Sequence, residues 1–238
     1  MKKLVTAACA LVAGLSMAQV MSTNVVGYFD ITDENAAEGF NVICPTFTSV
    51  GYNTVTLSDI MLVGDDVEVR KDNLQIFDAD GNAEYQYQWR AAGWYDVDEK
   101  EYVNDEVIDR AQGVIIDSFN GGISIRSVGE VKSTAVAVEN CVEGFNVVGN
   151  PLPVDVTLGD VTLVGDDVEV RKDNLQIFDA DGNAAYQYQW RASGWYDVDE
   201  KAYVNEETFP AGQGAILDCF NGGDVAFTIA VPAALSAL

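Results

Sequence analysis

The chain has 238 residues, 13 basic against 38 acidic, a net charge of −25 and no histidine. Such a charge repels nucleic acid and anionic membrane surfaces, so neither is expected as a partner. The lack of histidine removes Ser-His-Asp and Cys-His catalysis, His-ligated zinc and the usual general base near neutral pH.

The first element is an address. Lys2 and Lys3 precede an apolar run from Leu4 to Leu15, and Ser16-Met17-Ala18 offers the small residues a signal peptidase reads. The pattern predicts a secretory signal peptide over residues 1–18, too short to anchor in a bilayer. The expected product is therefore secreted, to the extracellular space, the cell surface or the periplasm. No later window reaches the ~18 apolar residues of a membrane helix, so no membrane insertion is expected.

Asn24 to Ile31 is rich in β-branched and aromatic residues and predicts a strand. Glu38 to Ile43 predicts a turn leading into a second strand that ends at Pro45. Thr46 to Asn53 follows as an expected surface loop. Thr56 to Ile60 is compatible with one helical turn or a strand. Asp66-Val67-Glu68-Val69-Arg70 alternates with period two and predicts a half-buried strand.

Leu74 to Phe77 and Tyr85 to Trp89 flank Asp80-Gly81, the pattern of a β-hairpin with a two-residue turn. That turn sets Ile76 opposite Tyr85 and Leu74 opposite Tyr87. Leu74, Ile76, Tyr85, Tyr87 and Trp89 then share one face, expected to be core. Short strands are predicted at Trp94 to Val97, Gln112 to Asp117 and Ile123 to Val128, with a charged loop over Asp98 to Glu106.

Leu62 to Gly122 recurs as Leu163 to Gly223 at a constant offset of 101, with 49 of 61 positions identical. The expected organisation is a signal peptide (1–18), one repeat (22–128), a second (132–231) and a short tail (232–238). Turn signals every eight to twelve residues predict an all-β fold: two tandem antiparallel β-sandwich, or small barrel-like, domains. Before the common block the offset is 105, because the first copy carries four extra residues around 46–53.

GFNVVGNP at Gly144 to Pro151, followed by FPAGQG at Phe209 to Gly214, resembles a family of uncharacterised secreted bacterial tandem β-repeat proteins. The resemblance implies a β-rich fold and export, and brings no activity with it. The first copy departs from both motifs: Ile43-Cys44-Pro45 lacks the Gly-Asn, and Asp109-Arg110-Ala111 replaces Pro210-Ala211-Gly212.

Three constellations could carry chemistry. Asp78, Asp80 and Asn82 place oxygen ligands at i, i+2 and i+4, repeated by Asp179, Asp181 and Asn183. Calcium is the candidate ion, although an EF-hand loop would want Gly at Ala83 and Glu at Trp89. Asp and Asn also favour turns without any ion. No organic cofactor is implied. Trp94 and Tyr95, with Trp195 and Tyr196, are adjacent in extended segments, so one ring of each pair is expected to face solvent and offer a ligand platform. Cys141 and Cys219 fall on Ala36 and Ser118 of the first copy, so the second copy has both members of a candidate disulfide and the first has neither. Cys44 is left over as a buried free thiol.

No GxSxG, P-loop or GxGxxG occurs. The expected function is non-enzymatic: a secreted structural or adhesion protein of the cell surface, acting through self-association. A carbohydrate-binding module taking a surface glycan is the alternative. A glycosidase built on two facing carboxylates is a remote third.

Overall fold

The computed structural model describes residues 26–31, 36–64, 72–77, 82–131, 136–165, 173–178, 183–220 and 225–236. The expected signal peptide, the strand Asp66 to Arg70 and the hairpin turn Asp78 to Gly81 lie outside the described residues, as do the repeats of the last two.

Runs of β-branched and aromatic residues become short strands between turns. In the first half these are β1 (Val26–Asp30), β2 (Gly39–Ile43), β3 (Val55–Thr56), β4 (Ile60–Val63), β5 (Asn73–Phe77) and β6 (Ala83–Arg90). They continue with β7 (Gly93–Asp96), β8 (Glu101–Tyr102), β9 (Val107–Ile108), β10 (Val114–Ser118) and β11 (Ser124–Glu130). The strands build a three-stranded sheet β1-β11-β4, a six-stranded sheet β2-β10-β5-β6-β7-β8 and a small ladder β3-β9. Every ladder is antiparallel among the described residues.

The second half has the same strand order. Its elements are β12 (Val136–Cys141), β13 (Gly144–Gly149), β14 (Val156–Thr157), β15 (Val161–Val164), β16 (Asn174–Phe178) and β17 (Ala184–Arg191). After them come β18 (Gly194–Asp197), β19 (Ala202–Tyr203), β20 (Thr208–Phe209), β21 (Gly214–Cys219) and β22 (Val225–Ile229). They form β12-β22-β15, β13-β21-β16-β17-β18-β19 and β14-β20.

Each half buries one core between its two larger sheets. Ile60 and Leu62 of β4 point inward while Met61 between them faces out, the period-two consequence of a pleated strand with one wet side. They meet Ile125 from β11 and Leu74, Val114 and Ile116 from the facing sheet. A buried side chain of this size contributes roughly 1.5–3 kcal/mol through burial. The second core repeats the arrangement and also takes in Leu235 from a helical turn, Ala233–Ser236, in the segment expected to be a plain tail.

Thr56 to Ile60 resolves into both of its readings. β3 ends at Thr56, Leu57–Asp59 makes one 3₁₀ turn, and β4 begins at Ile60. Asp59 Oδ2 accepts from the Thr56 backbone N–H at 2.9 Å and from its hydroxyl at 2.8 Å, which closes the turn. Thr157 and Asp160 repeat this at 3.0 and 2.8 Å.

The hairpin has the expected register at Leu74↔Tyr87 and Ile76↔Tyr85. Beyond Ile76 it shifts: Phe77 pairs with Ala83, not with Glu84 as an uninterrupted two-residue turn would require. The β16–β17 hairpin shifts at the same point, with Phe178 opposite Ala184. One extra residue on the β6 side is a bulge, which alternation in the flanking strands does not encode.

Thr46 to Asn53 corrects the expectation of a wholly surface loop. Thr46, Phe47 and Thr48 are buried. The Ser127 hydroxyl accepts from the Thr46 and Phe47 N–H groups at 3.2 and 3.3 Å, and Thr48 exchanges backbone bonds with Glu130. Only residues 50–53 stand out as an exposed tip.

The two halves meet through their strand ends. Cys44 N–H donates to Gly212 O at 2.8 Å, and Gly149 N–H donates to Ala111 O at 3.1 Å. Since Cys44 corresponds to Gly149 and Ala111 to Gly212, these are one contact made twice in opposite senses, as across a twofold axis. The isolated bridges Ile43↔Gln213 and Gln112↔Val148 are related in the same way. Beside this junction Phe40, Val42, Phe77 and Ile115 of the first half and Phe178 and Ile216 of the second line an apolar recess of about 190 Å³.

The two sequence motifs also meet here. Asn150 is fully buried; its amide nitrogen reaches the carbonyls of Val154, Phe209 and Pro210 at 3.0–3.1 Å, and its oxygen accepts from Leu152 N–H at 3.0 Å. GNP and PAGQG are therefore two sides of one structural corner.

Candidate functional site

The six-stranded sheet is wider than the three-stranded sheet that covers it, so part of its inner face stays open. β6 carries Tyr85, Tyr87 and Trp89 on that face. Tyr87 is 4% exposed, whereas Tyr85, two residues nearer the hairpin tip, is 46% exposed. Their rings stack at 6.1 Å between centroids with planes 17° apart. The expected core stripe is thus core at Leu74 and Tyr87 and surface at Tyr85.

Tyr85 and Tyr87 form the floor of a cleft of about 460 Å³, with Asp96, Glu99 and Glu106 among its walls and Val103 and Ile108 at its base. The turn after β7 brings the acids in. Asp96 Oδ1 accepts from the N–H groups of Asp98 and Glu99 at 2.8 and 2.9 Å, folding the chain back on itself. Lys100 completes the bend at φ 61°.

The charges act on one another. Burial, followed by the carboxylates of Glu106 and Asp96, pushes the Tyr87 hydroxyl up to about 12. Asp96 and then Glu101 raise the Glu99 carboxyl. Arg90 of the same strand is engaged elsewhere: it stacks its guanidinium on Tyr95 at 3.4 Å and donates to Gln88 Oε1 at 3.1 and 2.8 Å.

The second half has the same constellation. Tyr186 and Tyr188 stack at 6.0 Å, Tyr186 is 56% exposed, and Tyr188 is pushed up to about 12 by burial, Glu207 and Asp197. A ring face beside several carboxylates can stack on an apolar ligand face and accept hydrogen bonds from hydroxyl or ammonium groups. It repels anions.

The platforms expected at Trp94 and Trp195 are corrected. Both are 0% exposed, and their indole N–H groups donate to Ile60 O at 2.8 Å and Val161 O at 2.9 Å. Tyr95 and Tyr196 are half-buried; each has an arginine over its ring and a neighbouring tyrosine, Tyr102 or Tyr203, against its edge. Alternation puts one member of each pair outward, but here the outward ring is already engaged.

Of the candidate calcium ligands, Asp78, Asp80, Asp179 and Asp181 lie outside the described residues. Asn82 and Asn183 are exposed. Among the described residues no group of three or more His, Cys, Asp or Glu side chains is arranged to hold a metal ion.

The disulfide expected between Cys141 and Cys219 is not formed in this structure: both are free thiols, 1% exposed, and their mutual hydrogen bond is the main cause holding the Cys141 thiol down to about 7. Cys44 is buried at the junction, where desolvation pushes its thiol far up.

Sequence reasoning missed Asp96, Glu99 and Glu106 as neighbours of the tyrosine stripe. With 38 acidic residues in the chain, nothing in their spacing marks these three. Compared with known proteins, the chain matches no family model, no curated protein and no solved structure.

Proposed function

We propose that this chain is a secreted, non-enzymatic structural or adhesion protein whose two halves act as one rigid acidic body. The observation that carries the reading is the junction. Backbone hydrogen bonds run both ways between Cys44 and Gly212 and between Gly149 and Ala111, which fixes the spacing of two equivalent exposed faces. A body with two such faces at a fixed spacing is suited to bridging, because the second contact then forms at high effective concentration. Light scattering with and without calcium tests this. Oligomers or fibres in either condition are expected, and a strict monomer in both would refute assembly.

A second reading is favoured by one specific observation, the exposure of Tyr85 and Tyr186 beside carboxylates. Each half is then a carbohydrate-binding module, with the ring stacking on a sugar face and Asp96, Glu99 and Glu106 taking hydroxyls. A glycan array with the full chain, repeated with Tyr85→Ala and Tyr186→Ala together, tests it. Glycan binding lost in the double variant supports the module, and binding untouched by it rejects the cleft.

A further inference from the structure

We infer that Cys141 and Cys219 are joined by a disulfide that bolts together the two sheets of the second half, with no counterpart in the first. The placement of the two residues carries this. Cys141 ends β12 in the three-stranded sheet, opposite Val225, and Cys219 ends β21 in the six-stranded sheet, opposite Gly144. Their side chains meet inside the core, so a bond between them is a covalent link between layers that otherwise hold by packing.

The contact belongs to the fold and the chemistry to one copy. A corner clamp positions the pair: Asn146 accepts from Val142 N–H at 2.9 Å and donates to the carbonyls of Val142, Gly144 and Leu217. In the first half Asn41 makes the same clamp with Ala37, Gly39 and Ile116. The residues it positions there are Ala36 and Ser118, and the Ser118 hydroxyl accepts from Gly121 N–H at 3.1 Å. Cys44 takes no part, since its thiol lies against the carbonyls of Pro45 and Gln112 at 3.9 and 3.8 Å.

The bond forms by thiol–disulfide exchange with a small or protein disulfide as oxidant. In the folding chain, where both side chains are still open to solvent, the Cys141 thiol loses its proton and attacks one sulfur of the oxidant, whose other sulfur leaves as a thiol. Cys219 then loses its proton and attacks the Cys141 sulfur, expelling the second oxidant thiol. Two protein thiols are oxidised and one disulfide is reduced to two thiols. Because both cysteines are buried once the sheets close, exchange occurs in the folding chain, and closure then shields the bond from reductants. The cysteines lie 78 positions apart, so the link closes a loop spanning most of the second half and restricts its unfolded state.

The test refolds the full chain in a mixture of oxidised and reduced glutathione, denatures it without reductant, alkylates it and maps the peptides. The Cys141 and Cys219 peptides are expected linked, with Cys44 alkylated. Alkylation of both Cys141 and Cys219, or a linkage involving Cys44 or Cys9, overturns the inference. Cys141→Ala with Cys219→Ser installs the residue types the first half carries at these places, so the variant is expected to fold. Its melting temperature should fall by roughly 10 °C or more relative to the oxidised protein. A linked peptide map with an unchanged melting temperature would overturn the stapling role.

Discussion

Gly113 lies against Val147 so closely that a methyl group in place of its hydrogen would sit 2.8 Å from Val147 Cγ1. The same methyl would sit 2.8 Å from the Val148 carbonyl oxygen, and one on Gly214 would meet Ile43 N and Val42 C at 2.7 Å. Backbone on the far side cannot rotate away as a side-chain tip can. Gly113→Ala with Gly214→Ala should therefore loosen the junction at a cost of about 1–3 kcal/mol per site. Guanidinium unfolding should show one transition for the parent and two for the double variant.

Asn150→Ala strips hydrogen-bond partners from one corner. The buried Leu152 N–H loses its acceptor and the buried Phe209 carbonyl a donor, while the partly buried carbonyls of Val154 and Pro210 lose one too. A loss of about 3 kcal/mol is expected, because buried groups left unsatisfied cost ~1–3 kcal/mol each and relaxation recovers part. Urea denaturation measures it directly.

Trp94 and Tyr85 should behave in opposite ways. Trp94→Phe removes the bond to Ile60 O from a fully buried site and should cost about 1–3 kcal/mol, leaving any glycan or surface binding unchanged. Tyr85→Ala acts on an exposed ring and should cost about 1 kcal/mol or less. Thermal melts of the two variants decide between these assignments.

Alkaline pH should weaken the fold through two tyrosines. Tyr87 and Tyr188 titrate near 12 when folded against 10.0 as the ordinary value, so the folded chain holds two protons that the unfolded chain releases. Their contribution is complete below pH 10 and is lost as pH rises from 10 through 12. Absorbance of phenolate should show a late-ionising component from Tyr87 and Tyr188. Tyr87→Phe with Tyr188→Phe should flatten this limb of the stability curve.

Lys100 and Lys201 occupy left-handed backbone at φ 61° and 57°. A side chain there costs about 1–2 kcal/mol that glycine avoids, partly offset by the freedom glycine gains when unfolded. Lys100→Gly should stabilise by about 0.5–1 kcal/mol. Lys201→Gly should add a similar amount, because the two bends lie in separate halves. Urea midpoints check both.

Alternation, turn residues and the offset of 101 were enough to establish an all-β chain, most of its longer strands and the pairing of Leu74 with Tyr87, while the two-residue strands β8, inside the expected loop Asp98 to Glu106, and β9 carried no such signal. These are short-range properties: each residue's face follows from its neighbours along one strand. Which face is covered depends on the width of a sheet contributed from far along the chain, and that separated exposed Tyr85 from buried Tyr87 and closed Trp94 away from solvent. The bulge after Ile76, the junction at Gly113 and Gly214 and the meeting of Cys141 with Cys219 were likewise decided only when the layers came together. None of these depends on residues close in sequence, and no local pattern carries the distance between two sheets.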